Sequence, residues 1–333
     1  MSANTTFPAL LEAFFTERLI QQKHVGSHTI ASYRDTFCLL LRYAQDDLHK
    51  APSQLALADL DAPLIGAFLD YLQAHRGTSA RSRNVRLAAI HSFFRDAALQ
   101  APDHSALIER VMAIPSKRYE RNPIAYLTPA ESAALLAAPD VATWLGRRDR
   151  TLLLVALQTG LRVSELIRLR WQQDVALEVG AHVCCQGKGR KNRCTPLRKD
   201  AIVALRAWQR ENAPMPSAPV FPTAQGTSLS PDGVNYLLQK HLACAHQQCP
   251  SLAEKHVTPH VLRHSAAMAL LHSGVDCAVI AMWLGHESMD TTQIYLHASL
   301  ELKQQALDKT TPTSGSPGRY RPDDALLAFL KSL

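Results

Sequence analysis

The chain has 333 residues, 47% of them hydrophobic and 20% charged, an ordinary globular composition with material for two domains rather than one. Its 36 Lys and Arg outnumber 29 Asp and Glu, a formal charge of +7 that favours a polyanionic partner, DNA first, while saying nothing about fold. No apolar run reaches the ~18 residues of a membrane span, and Met1 to Leu10 lacks the start of a secretory signal, so a cytoplasmic chain with no membrane partner is expected.

Helical spacing begins at once. Phe7 to Gln22 carries Leu10, Leu11, Phe14, Phe15 and Leu19, and after Gly26-Ser27 the pattern returns over His28 to Tyr43. A third helix is predicted over Ala62 to Ala74, with Pro63 in its first turn. A fourth, Ser79 to Leu99, sets Val85, Leu87, Ile90, Phe93 and Phe94 largely on one side and Arg81, Arg83, Arg86 and Arg95 elsewhere. These helices make a compact first domain over residues 1–114. Residues 115–123 (PSKRYERNP) are basic, bounded by prolines and free of apolar period, and read as a linker.

The second domain, residues 124–311, opens on Thr128-Pro129-Ala130-Glu131, a capping box with proline at the first helical position. Arg148 to Gln158 is an apolar helix stopped by Gly160. Between Ala181 and Leu197 the period changes to that of two short strands joined by the turn Gly187-Lys188-Gly189-Arg190-Lys191-Asn192. Helices resume at Lys199 and, after a proline-rich loop and the start signal Ser230-Pro231, continue to about Leu307. Residues 312–333 are a spacer ending in the amphipathic run Asp324 to Leu333. The fold expected is mainly α with a small β-hairpin sheet, in two domains.

Seven cysteines, an odd number with no C-x-x-C pair, fit reduced thiols better than a disulfide framework. His241, Cys244, His246, Cys249 and His256 lack a second matching knuckle, which argues against structural zinc, and Cys184 and Cys185 point to opposite faces of their strand. No metal site is expected.

Four segments stand out in the second domain: Thr159 to Leu166 (TGLRVSEL), Gly187-Lys188-Gly189, His260 to His264 (HVLRH), and Leu284-Gly285-His286 followed by Tyr295. Each alone is weak. In this order and spacing they resemble the tyrosine site-specific recombinases of the phage-integrase and Xer-like family, strongly from Thr128 to Leu307 and more loosely over the N-terminal helices. The resemblance assigns Arg162, Lys188, His260, Arg263, His286 and Tyr295 as the catalytic set, with no departure at the six positions. Tyr295 is the implied nucleophile, forming a 3′-phosphotyrosyl bond. Arg162 and Arg263 are implied to clamp the phosphate, which suits their planar, permanently charged forks. The family's general acid falls on Lys188, its base toward the tyrosine on His260, and its hydrogen-bond donor to the phosphate on His286.

The same resemblance implies a two-domain DNA clamp on a core-DNA-binding, SAM-like first domain. Its implied partners are double-stranded recombination sites, three further copies of the chain in a synaptic tetramer, and accessory proteins. It also implies docking of the C-terminal run on a neighbouring protomer. Arg81, Arg83, Arg86, Arg190 and Lys191 are the candidate DNA contacts. The chemistry calls for no cofactor, and no Walker-type loop is present. Integration, excision or transposition of a mobile element is the expected role. Two rivals stay open: a type IB topoisomerase, and an unreactive DNA-binding protein of integrase ancestry.

Overall fold

The computed structural model describes residues 6–119, 124–186 and 192–286, together with Thr292 and Tyr295. The chain divides into two compact units, Met1–Arg121 and Asn122–Leu333. Lys188, Arg190 and Lys191, the segment Glu120 to Pro123 and the C-terminal run lie outside the described residues.

In the first unit, helix α1 (Phe7–Ala13) continues as a wider-wound stretch, Phe14–Gln22, and is followed by α2 (Ser27–Leu48), α3 (Ala62–Arg76), α4 (Ala80–Gln100) and α5 (Ser105–Met112). Its core is aromatic. Phe7, Phe14 and Phe37 meet the ring of Phe93 edge-on at 5.8, 5.6 and 5.4 Å between centroids, contacts worth ~0.5–1.5 kcal/mol each beyond their buried area. Asp61 caps α3 by accepting from the Leu64 N–H, and Ser79 caps α4 by accepting from the Ser82 N–H.

Helix α4 corrects two expectations. Val85 is half exposed, whereas Arg83 is only 5% exposed. The helical period explains both, because 83, 87, 90 and 94 follow the four-three-four spacing of a single stripe, the one carrying Leu87, Ile90 and Phe94. Arg83 Nη1 donates to the Pro115 carbonyl at 3.4 Å, and its Nε is buried without a partner among the described residues. Arg83 is therefore turned inward, while Arg81 is exposed and Arg86 half-buried.

The basic segment near the end of this unit is anchored where it begins. The Asn84 side-chain amide donates to the Lys117 carbonyl at 2.8 Å and accepts from the Lys117 N–H at 3.0 Å. Lys117 Nζ meets Asp70 and Gln73.

The second unit runs α6 (Pro129–Ala137), α7 (Trp144–Thr159), α8 (Val163–Leu166), α9 (Trp171–Asp174), β1 (Val175–Ala176), β2 (His182–Gln186), β3 (Asn192–Pro196), α10 (Lys199–Asn212), α11 (Pro231–Gln248), α12 (Pro259–His272) and α13 (Cys277–Leu284). The capping box of α6 is formed on both sides, Thr128 N–H to Glu131 and Glu131 N–H to Thr128 Oγ1. Helix α7 is buried along most of its length. Its Asp149 carboxylate accepts from the adjacent Arg148 and from His241 Nε2 at 2.8 Å, all three side chains lying within the core. Burial alone raises the Asp149 pKa, and the bonds from His241 and Arg148 outweigh it, leaving the group below the usual carboxylate range.

The sheet is antiparallel in the order β1-β2-β3, with Val175 opposite Val183 and Cys184 opposite Cys194. That register overturns the expectation that the cysteines are all reduced. It brings the Cα atoms of Cys184 and Cys194 to 4.0 Å, and the two sulfurs are joined in a disulfide. Cys185, one residue on, faces the core.

Candidate active site

Two helix ends form the floor of the site. Helix α7 stops at Gly160 (φ 63°), where an added Cβ would lie 2.6 Å from Leu284 Cδ2 and 3.2 Å from Ala266 Cβ, so glycine is required both by the turn and by the neighbouring packing. Helix α13 stops at Gly285 (φ 65°), where a Cβ would come 2.7 Å from Arg193 Nη1. Between these ends sits Arg263 on α12, only 4% exposed. It donates through Nη1 to the Gly160 carbonyl at 2.7 Å and through Nη2 to the Leu284 carbonyl at 2.6 Å. Burial, then the guanidiniums of Arg162 and Arg193, lower its pKa to about 10, which still leaves it charged at neutral pH.

Arg162 enters from the start of α8. Its Nη1 donates to Glu165 Oε1 at 2.9 Å and its Nη2 to the Gly285 carbonyl at 3.2 Å, while its backbone N–H donates to Glu165 Oε2 at 2.7 Å. The same carboxylate receives Arg193 of β3 at 3.0 and 2.7 Å. Burial by itself would raise Glu165, but the bonds from Arg193 and from Arg162 overcome it and hold the group ionised. Glu165 is thus the shared anion of two arginines, one from α8 and one from the hairpin.

Tyr295 is 1% exposed. Its hydroxyl lies 3.0 Å from His264 Nδ1. Rings extend from it on both sides. His264 lies 5.6 Å away with His260 6.1 Å beyond it, and His286 lies 6.3 Å away in a stacked arrangement. His286 Nδ1 is 2.7 Å from Thr292 Oγ1. Burial raises the Tyr295 pKa against the pull of Arg263 and Arg162, so the phenol is protonated at neutral pH. His260, the exposed residue of the first turn of α12, has its pKa lowered by partial desolvation and then by Arg263 and Arg162.

The structure brings Arg162, His260, Arg263, His286 and Tyr295 into one neighbourhood. Sequence reading missed two contributors. Arg193 carried no signal apart from its place in a strand following a basic turn. His264 was visible in HVLRH but had no role assigned to it, yet it is the residue on the phenol. The five His and Cys residues considered for zinc do not converge among the described residues, and His241 is committed to Asp149.

His264 and His286 are both lowered to about 4, chiefly by burial and then by neighbouring histidine and arginine groups. An unfolded histidine takes up its proton near pH ~6.5, so between that pH and about 4 the unfolded chain binds more protons than the folded one. Stability is therefore expected to fall as pH drops through this window. Urea midpoints at pH 7 and pH 5 should differ in wild type and converge in the doubly substituted His264→Asn, His286→Asn protein. Equal wild-type midpoints would contradict the assignment.

Comparison with known proteins shows what the chain is similar to. The Phage integrase family matches residues 125–301, and the Phage integrase, N-terminal SAM-like domain matches residues 13–100. The y4rC protein of Sinorhizobium fredii (strain NBRC 101917 / NGR234), named as an integrase/recombinase, is 55% identical over 333 residues, 100% of both chains. Tyrosine recombinase XerC of Xanthomonas campestris pv. campestris (strain B100) is 33% identical over 298 residues, 90% of this chain and 87% of XerC. The crystal structure of the XerH site-specific recombinase bound to palindromic difH substrate in a post-cleavage complex shares the fold, with a TM-score of 0.70 at 21% identity over 86% of this chain and 81% of XerH. A helical SAM-like domain followed by a helical domain with a three-stranded sheet is thus a fold shared with that recombinase. The chain belongs to the phage integrase family of tyrosine recombinases and is a site-specific recombinase.

Proposed function

We propose that this recombinase exchanges strands between two double-stranded DNA sites through a 3′-phosphotyrosyl intermediate on Tyr295. The observation carrying the proposal is the placement of two charged guanidiniums, Arg162 and Arg263, in one neighbourhood with a buried tyrosine and three histidines. The scissile phosphate docks on the two arginines, whose forks stabilise the charge that gathers on its non-bridging oxygens. Tyr295 oxygen attacks phosphorus and the bond to the 5′ oxygen breaks. The departing oxygen takes a proton from Lys188. A 5′ hydroxyl of the partner strand then reverses the step, displacing the phenol and restoring a phosphodiester without external energy.

The phenol faces His264, whose depressed pKa suits it to accept a hydrogen bond and makes it a weak base. Attack therefore requires Tyr295 to leave that bond and deliver its proton to His260, with His286 donating to the phosphate. Arg81, Arg86, Arg190 and Lys191 are the proposed backbone contacts. The working assembly is a tetramer in the cytoplasm, assisted where needed by accessory proteins, and the role is integration, excision or transposition of a mobile element. The integrase/recombinase name of the S. fredii relative supports that role.

The test is covalent trapping on a nicked suicide version of the DNA site. Wild type should give a denaturation-resistant adduct and Tyr295→Phe none, with equal DNA binding by both. An adduct in Tyr295→Phe, or none in wild type on a site it binds, would sink the mechanism.

A further inference from the structure

The outer face of the hairpin strands holds a cluster that the recombination chemistry does not use. His182 and Cys184 alternate along β2, and Cys194 stands opposite Cys184 on β3. One ring nitrogen of His182 and the two sulfurs all lie within 4.8 Å of one another. His182 and Cys184 are half-buried and Cys194 is exposed, so all three are within reach of solution.

We propose that, when the Cys184–Cys194 bond is reduced, His182, Cys184 and Cys194 bind a soft-to-borderline d10 cation of the Zn(II) type. Three arguments carry this. Two thiolates and an imidazole are the donor set such ions take, and three protein ligands leave the fourth tetrahedral position to water. His182 Nδ1 lies 2.7 Å from the Gly180 carbonyl, a bond that needs the proton on Nδ1 and so leaves the lone pair on Nε2. Ligating histidines are commonly oriented in this way by a backbone carbonyl. Finally, the neighbouring thiol does not compete. Cys185 alternates to the opposite face of the strand and is buried in the core.

The disulfide and the metal are alternative occupants of the same sulfurs. Opening the S–S bond takes two electrons and two protons from a dithiol reductant, which becomes a disulfide in turn. The cation then displaces the two thiol protons as it binds. Either way the strands are clamped four residues before and six after Lys188. Binding is independent of the DNA chemistry, and its test uses no DNA.

Full-length protein, reduced or oxidised, is titrated with Co(II) as a spectroscopic stand-in and then with Zn(II). Reduced wild type should develop a thiolate-to-cobalt charge-transfer band that Zn(II) bleaches. The band should survive in Cys244→Ser, whose thiol is exposed elsewhere. It should be absent from oxidised protein and from the doubly substituted Cys184→Ser, Cys194→Ser protein. His182→Ala should bind Co(II) roughly tenfold or more weaker, the scale set by losses of supporting groups at metal sites. If the double variant does not fold by circular dichroism, Cys194→Ser alone, at the exposed position, serves for the comparison. No band in reduced wild type, or an undiminished band without the two sulfurs, overturns the proposal.

Discussion

Arg263→Ala is expected to remove most strand cleavage and to destabilise the domain at once. The guanidinium satisfies the Gly160 and Leu284 carbonyls in a buried setting. Leaving each without a donor costs about 1–3 kcal/mol. Losing one preorganised donor to the transition state costs ~10²–10³ in rate. Arg263→Lys separates the two effects. An ammonium keeps the charge but cannot span both carbonyls and a phosphate with one planar fork. Stability should return in part while single-turnover cleavage of a suicide site stays low. Near-wild-type cleavage by Arg263→Lys would mean that this position supplies charge alone.

Glu165→Ala should be the most destabilising single change in the site. The carboxylate is buried and accepts from Arg162 and Arg193, with Arg263 close behind. Deleting it leaves cations facing one another without their anion, a class of change that costs about 3–5 kcal/mol. A urea unfolding curve reads the loss directly. Arg193→Ala is the gentler companion. It frees one side of Glu165 and detaches β3 from α8 while leaving Arg162 paired, so cleavage should fall more than DNA binding. A Glu165→Ala midpoint within about 0.5 kcal/mol of wild type, the range of ordinary surface changes, would show that the network is not holding the site.

Local signals in the chain were readable where one residue type meets one backbone need. The Thr128–Glu131 box, the Ser230 cap and the Gly160 stop all form where they are expected, because caps depend on neighbours within a single turn. The hairpin strands were visible from alternation. Strand β1, two residues long, has no period to display and was missed. Arg83 was misplaced because residue type was weighed above helical phase, which sets it on the stripe of Leu87 and Ile90. Arg193 and the Cys184–Cys194 bond depend on strand register and on partners far along the chain, Glu165 being 28 residues from Arg193. His264 shares its motif with Arg263, and only the packed position of Tyr295 reveals what it touches.

The two buried carbonyls that hold Arg263 lie at the C-terminal ends of α7 and α13, so two helices converge on it with the negative ends of their dipoles. Partial charges at helix ends can steady a buried cation without neutralising it, as a dedicated carboxylate would. Among the described charges here, Arg162, Arg193 and Arg263 face the single anion Glu165. The unspent charge is two positive units, the same count as the negative charge on the pentavalent species a phosphodiester would form with a phenol that has given up its proton. On the proposed mechanism that charge would face a pentavalent phosphate, and it is in place before any DNA arrives.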